Sequence, residues 1–206
     1  MSTEMIGECL DLSKSFGHQR VLQNCNLVLH KGELLGLVGE NGSGKSTFVK
    51  CLLGYLKPDS GSIILHGSVG YCPQEEIINR TYTVAEHFAF IRDIYAQHCS
   101  VDANYVNHLI SEFRLKDYMN ELIATLSGGT RQKIQFITSI MHQPRILLLD
   151  EPYGGFDWEM YLTFWKIIEE MCQLGTGVVL ITHFVYDNKR FNKIYKLKNG
   201  VLNEAN

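Results

Sequence analysis

Nine consecutive residues, Gly39-Glu40-Asn41-Gly42-Ser43-Gly44-Lys45-Ser46-Thr47, fit the spacing G-x-x-x-x-G-K-[ST], and each residue type in it has a use in gripping phosphate. Glycines let the backbone curl until successive N–H groups point inward at anionic oxygens, and a helix starting there adds its partial positive charge. Lys45 would reach the β- and γ-phosphates, and the Ser46 hydroxyl would bind Mg2+. The flanks agree: Glu33-Leu34-Leu35-Gly36-Leu37-Val38 reads as a buried strand, and Lys45 to Leu56 as a helix. A ligand-free glycine turn is the plainer alternative, outweighed by the agreement of strand, loop and helix.

Hydrolysis of a nucleoside triphosphate also needs a carboxylate for the metal and a group to orient the attacking water. The strand-like run Ile146-Leu147-Leu148-Leu149 ends on Asp150, which puts that carboxylate at the carboxyl edge where α/β folds bind ligands. Glu151 follows and points differently, which suits it to polarise a water beside the γ-phosphate. Asp-Glu-Pro could instead merely cap the next element; the upstream phosphate loop argues against that. A third stretch, Leu126-Ser127-Gly128-Gly129-Thr130, opens a helix with bare N–H groups and makes a second anion site. By itself it would be ordinary N-cap chemistry.

These groups need a scaffold, and 206 residues suffice for one well-buried core with an inserted lobe. A net charge of −3, with both signs mixed along the chain, gives no nucleic-acid footprint, so no nucleic acid is expected as partner. Six cysteines without a C-x-x-C pair speak against a zinc site or a disulfide framework and suggest reduced thiols in the cytosol. Met1-Ser2-Thr3-Glu4 lacks the pattern of a secretory signal, and no apolar run approaches the ~20 residues of a membrane helix.

Strand-like patterns at Ile6–Ser15 and Val21–His30 flank the turn Phe16-Gly17-His18 and precede the strand that feeds the phosphate loop. Short strands follow at Ser62–His66 and Ser68–Cys72, broken by Pro73-Gln74. From Thr83 the character changes: Thr83 with Glu86 makes a capping box, Val84, Phe88, Ile91 and Ile94-Tyr95 recur at helical spacing, and a second helix spans Val101–Phe113. Phe88, Phe90, Tyr95 and Phe113 read as the core of this lobe, while His66, His87, His98, His108 and His142 share no metal-ligand spacing and read as surface or structural. A helix from Ser127 to His142, a helix from Trp158 to Cys172, a strand at Gly177–Thr182 and a hairpin around Asn199-Gly200 complete the pattern. The fold class is α/β: a P-loop NTPase core with a mostly parallel sheet, an antiparallel β subdomain and an inserted α-helical lobe. We expect one domain over 1–206, with 1–74 and 126–206 forming the core and 75–125 the lobe.

In this order, the motifs resemble the nucleotide-binding domain of the ATP-binding cassette (ABC) transporter superfamily, and the resemblance runs nearly end to end. It implies that Phe16 is the aromatic that stacks on adenine, Gly39 to Thr47 are Walker A, and Gln74 is the glutamine that touches Mg2+. It further implies that Ser127, Gly128 and Gly129 are the signature, Asp150 the Walker B aspartate, Glu151 the catalytic base, Asp157 the D-loop aspartate and His183 the switch. Two departures stand out: Thr130 where Gln is commonest in the signature, and Tyr153-Gly154-Gly155-Phe156 in the D-loop, whose glycines should loosen it. The resemblance implies ATP and Mg2+ as cofactors and ATP hydrolysis as the activity. Its implied partners are a second ATP-binding subunit, a copy or a paralogue, closing head to tail around ATP, and a separate membrane permease docked near Gln74 to Tyr82. That would place the chain in the cytoplasm, peripheral on the membrane face. The run from Ser127 to Lys133 and the absence of a C-terminal extension look like exporters. The rival is a soluble ABC ATPase, such as one for iron-sulfur cluster assembly; finding the protein with soluble scaffold proteins instead of a polytopic partner would favour it.

Overall fold

Strands covered on both faces carry unbroken apolar sequence, because alternate side chains serve two different cores. The computed structural model, which describes residues 4–183 and 187–205, shows this in β6 (Ile146–Asp150) and β7 (Gly177–Thr182). Ile146, Leu148, Val179 and Ile181 join one cluster with Phe48 and Val49, while Leu147, Leu149, Val178 and Leu180 join another with Ile134, Phe136 and Phe164. Met1-Ser2-Thr3, part of the N-terminal reading above, lies outside the described residues.

The main sheet has the order β5-β6-β7-β3-β8-β9, with β3 at Leu34–Val38, β5 at Val69–Cys72, β8 at Lys193–Lys198 and β9 at Val201–Ala205. Its neighbours pair in parallel except β8 with β9. A second, antiparallel sheet has the order β2-β1-β4, formed by Met5–Phe16 (β1), Gln19–His30 (β2) and Ser60–Leu65 (β4). Ile6, Cys9, Leu12, Leu22 and Leu27 of β1 and β2 complete the core under α1 (Lys45–Leu52). On the other face lie α4 (Gly128–Ile140) and α5 (Trp158–Leu174), with the lobe helices α2 (Val84–Tyr95) and α3 (Ala103–Glu112) packed against the same cluster. The capping box is formed: Thr83 Oγ1 accepts the Glu86 N–H at 3.2 Å and Glu86 Oε2 accepts the Thr83 N–H at 2.8 Å.

Several expectations need correction: α4 ends at Ile140 before His142, α5 runs on past Cys172 to Leu174, and β4 spans Ser60–Leu65 instead of Ser62–His66. The helix read to Leu56 stops at Leu52, because Gly54 at φ 73° turns the chain out of the helix. Helix α3 begins at Ala103, not Val101, since Asp102 accepts the Asn104 N–H at 2.8 Å and sets the start. Phe90 is no core residue: it is 48% exposed and lies edge-on to Tyr82 at 5.6 Å.

Two of the histidines read as structural are buried, and His142 has a measurable consequence. It lies just past the end of α4, 7% exposed, with its ring stacked on Tyr95 of the lobe at 4.0 Å and 16°. Burial lowers its pKa to about 4, against a small opposite pull from the Val69 backbone. Because the folded value is depressed, its contribution to stability is present above the unfolded value of about 6.5 and is lost as pH falls toward the folded one. Chemical denaturation of wild type and His142→Phe should therefore diverge between pH 7 and pH 4, with wild type losing about 2 kcal/mol more after allowance for solvent screening. Parallel loss in both proteins would contradict this.

Candidate active site

Register decides which residues meet. Val38 pairs with Thr182, Asp150 with Ile181, and Cys72 with Leu149, so β3, β7, β6 and β5 end almost level. The residues just beyond those ends are the phosphate loop, His183, Glu151 and Gln74. With Phe16, Val21, Asn41, Gly42, Gly44, Lys45, Ser46, Thr47 and Asp150 they line a cavity of about 320 Å³ at the carboxyl edge. Gly39 and Ser43 line adjoining hollows that share the same loop.

The loop is shaped for an anion. A Cβ on Gly39 would come within 2.6 Å of both the Leu197 carbonyl and Ser43 Oγ, so the backbone can pass there only as glycine. Gly44, at φ 106°, turns the chain into α1. Lys45 is 8% exposed, and its ammonium donates to the carbonyls of Gly39 at 2.6 Å and Glu40 at 3.1 Å. Burial lowers its pKa, opposed by the Glu151 and Asp150 carboxylates. Ser43 Oγ is buried without a hydrogen-bond partner among the described residues. An orphaned hydroxyl, an ammonium bonded to loop carbonyls and a Gly39 position that admits no side chain fit a phosphate chain. The Ser46 hydroxyl, Gln74 carboxamide and Asp150 carboxylate on the same wall are hard oxygen donors of the kind Mg2+ takes.

Glu151 stands at φ 49°, a left-handed conformation that costs a non-glycine residue about 1 kcal/mol. Several bonds hold it there. Its N–H donates to the Ile181 carbonyl at 3.0 Å, and its own carbonyl accepts Gln132 Nε2 at 3.2 Å. Oε1 accepts the His183 N–H at 2.7 Å, with His183 Nε2 a further 3.6 Å away from the same oxygen. Asp150, 6% exposed, has its pKa raised first by burial and then by Glu151, while Lys45 and His183 pull it down. Phe16, 51% exposed at the end of β1, presents its ring as one wall, with the Lys14 ammonium 5.7 Å from its centroid.

Ser127, Gly128, Gly129 and Asp157 are not on this cavity. Ser127 and Gly128 are exposed at the start of α4. Ser127 Oγ accepts the Thr130 N–H at 3.1 Å and lies 2.8 Å from the Thr130 hydroxyl, so the unusual threonine closes the cap. Asp157 caps α5 through the Met160 N–H at 2.8 Å. Of the two D-loop glycines, Gly155 is at φ 95° and its carbonyl lies where a Cβ on Gly129 would come within 2.7 Å, while a Cβ on Gly154 would meet nothing nearer than 3.8 Å. Sequence reasoning passed over Gln132, Gln135 and the Arg131–Glu76 ion pair at 2.8 Å. A glutamine between Ile134 and Phe136 on the inward face of α4 was the available signal.

Comparison with known proteins agrees with this geometry. The ABC transporter family model matches residues 22–154. The ABC transporter ATP-binding protein MJ1023 of Methanocaldococcus jannaschii is 31% identical over 191 residues, covering 92% of this chain and 73% of that protein. The ABC-type organic anion transporter ABCA8B of Mus musculus is 37% identical over 175 residues, but those span 79% of this chain and only 11% of that protein. A solved structure described as the ATP binding subunit of an ABC transporter superposes with a TM-score of 0.89 at 26% identity, covering 97% of this chain and 89% of that one. The level strand ends, the phosphate loop and these likenesses together show that the chain belongs to the ABC transporter family, as an ATP-binding unit of α/β P-loop fold.

Proposed function

We propose that this chain binds ATP with Mg2+, hydrolyses it, and works as one half of a two-fold pair that drives a separate membrane permease. One observation carries the reading: Lys45, Gln74, Asp150, Glu151 and His183 share a cavity, while Ser127 and Gly128 stand exposed away from it. A second anion-binding helix start that cannot serve its own cavity can serve another molecule's, and a head-to-tail pair closes the arrangement. The partner is a second copy or a paralogue.

In this reading Phe16 stacks on adenine, and Gly39, Asn41, Gly42, Ser43, Gly44 and Thr47 wrap the phosphates with backbone N–H groups. Lys45 exchanges its loop carbonyls for β- and γ-oxygens. Ser46, Gln74 and Asp150 would hold Mg2+, which would supply positive charge against the negative charge of the triphosphate. Glu151 orients the attacking water and accepts its proton, and His183, tied to Glu151 through its N–H, senses the γ-phosphate. Ser127, Gly128, Gly129 and Asp157 engage the partner's nucleotide, so loss of the γ-phosphate reopens the pair.

Residues 1–206 form a single ABC ATPase domain in this account, with 75–125 as the lobe that meets the permease. Ile77, 69% exposed between Gln74 and Tyr82, marks that surface. Among the described residues no helix is long and apolar enough to cross a membrane, so the permease would hold the chain at the cytoplasmic face. Export is the direction we favour, on the likeness of the Ser127 to Lys133 run to exporters.

Glu151→Gln should lower ATP turnover by about 10²–10³-fold and accumulate an ATP-bound dimer on size-exclusion chromatography; a variant that elutes only as monomer with ATP counts against the pair. Asp150 gives a second test in the nucleotide-free protein. Its folded pKa is raised, so the stability linked to it is present below the unfolded carboxylate value of about 4 and is lost as pH rises through the folded value. Asp150→Asn should melt above wild type at pH 7, with the gap closing toward pH 4. The same variant should lose the Mg2+-dependent part of ATP binding; a lower melting temperature at pH 7 contradicts the electrostatic account.

A further inference from the structure

Gln135, 4% exposed on the inward side of α4, spends its whole carboxamide on one short segment. Its Nε2 donates to the Pro73 carbonyl at 2.7 Å and to the Glu75 carbonyl at 3.2 Å, and its Oε1 accepts the Ile77 N–H at 2.9 Å. Those two carbonyls stand on either side of Gln74. The segment lies just past the end of β5, where no ladder partner is left for it, and Pro73 has no N–H of its own to offer. One turn earlier on the same helix, Arg131 Nε donates to Glu76 Oε2 at 2.8 Å, and Arg131 also donates to the Leu126 carbonyl next to Ser127. Glu76 in turn accepts Arg80 Nε at 2.7 Å. The backbone from Pro73 to Ile77 is thus fastened to α4 from within, while Gln74 itself faces the cavity.

We infer that Gln135 is the positioning residue for Gln74, holding the oxygen that Gln74 offers to Mg2+ on the cavity wall and tying it to the helix that begins at Ser127. The inference rests on the function proposed above and extends it. A carboxamide with both hydrogens and its oxygen engaged permits one placement of its partners. Any shift of α4 that accompanies contact between Ser127 and a second nucleotide must therefore move Gln74 at the first. Gln135 touches neither nucleotide nor metal and acts only through the backbone that carries Gln74.

The test uses the full chain with two substitutions. Gln135→Met keeps length and volume and removes all three hydrogen bonds. Gln135→Glu keeps an acceptor for the Ile77 N–H and turns an oxygen toward the Pro73 and Glu75 carbonyls. A fluorescent ATP analogue is titrated in EDTA and then at rising Mg2+, and hydrogen exchange of the 72–78 segment is followed without nucleotide. Affinity in EDTA should stay within about twofold of wild type, while the Mg2+ concentration that half-tightens binding rises about tenfold in both variants, as for loss of a group that orients a metal ligand. Exchange at Ile77 should accelerate in Gln135→Met and stay slow in Gln135→Glu. An unchanged Mg2+ midpoint in folded variants, or equal loss with and without Mg2+, overturns the inference; should Gln135→Met not fold, Gln135→Glu decides it. Wild type that binds no ATP overturns instead the reading beneath it.

Discussion

Hydrogen bonding between parallel strands fixes their relative register, and here that register does more than build a sheet. Because β5, β6, β7 and β3 end nearly level, residues drawn from Gln74, Asp150, Glu151, His183 and the phosphate loop meet at one edge although most of the chain separates them. A parallel sheet survives only when covered on both faces. The packing of α1 and the β1–β2 sheet on one side, and of α4 and α5 on the other, is therefore the condition for the edge to exist. The inserted lobe adds Val84, Phe88, Leu109 and Ile110 to the second core.

What gathers at that edge is poorly suited to a cavity without its ligand. Lys45 and Asp150 are each displaced in the direction that disfavours their charged form, both chiefly through burial. Glu151 adds a backbone in the left-handed region, held by bonds to Ile181, Gln132 and His183. Strain and desolvation of this kind persist where the surrounding structure over-determines them, and such places are commonly functional. A triphosphate with a divalent cation would supply the charges that both the ammonium and the carboxylates lack.

Much of this was legible before the fold was seen, for a physical reason. Phosphate loops, carboxylates at strand ends and helix caps are local chemistry: residue types within a few positions of one another carry the whole signal, as in Gly39–Thr47 or Thr83 with Glu86. The strands were legible because two-sided burial writes itself as an unbroken apolar run. Contacts between distant segments were not. Nothing in the neighbourhood of Gln135 says that it will reach the Glu75 carbonyl, and nothing in Gly154-Gly155 says that its backbone will lie against Gly129. Phe90 was misplaced because an aromatic residue in a helix reads as core until its phase is drawn; two residues from Phe88 is about 200° around the axis, on the solvent side. The early stop of α1 turned on the conformation of a single glycine, which spacing alone does not reveal.

The central claim is that a triphosphate is held at the level ends of these strands by one molecule and completed by the α4 start of another. A crystal structure of the chain with Mg2+ and a non-hydrolysable ATP analogue tests it most directly. The account predicts the phosphates within hydrogen-bonding reach of Lys45 and the Gly42–Thr47 N–H groups, the metal beside Ser46, Gln74 and Asp150, and Ser127 of a second molecule facing the γ-phosphate. Nucleotide bound elsewhere, or a saturated complex in which no second molecule brings Ser127 to the γ-phosphate, would contradict it.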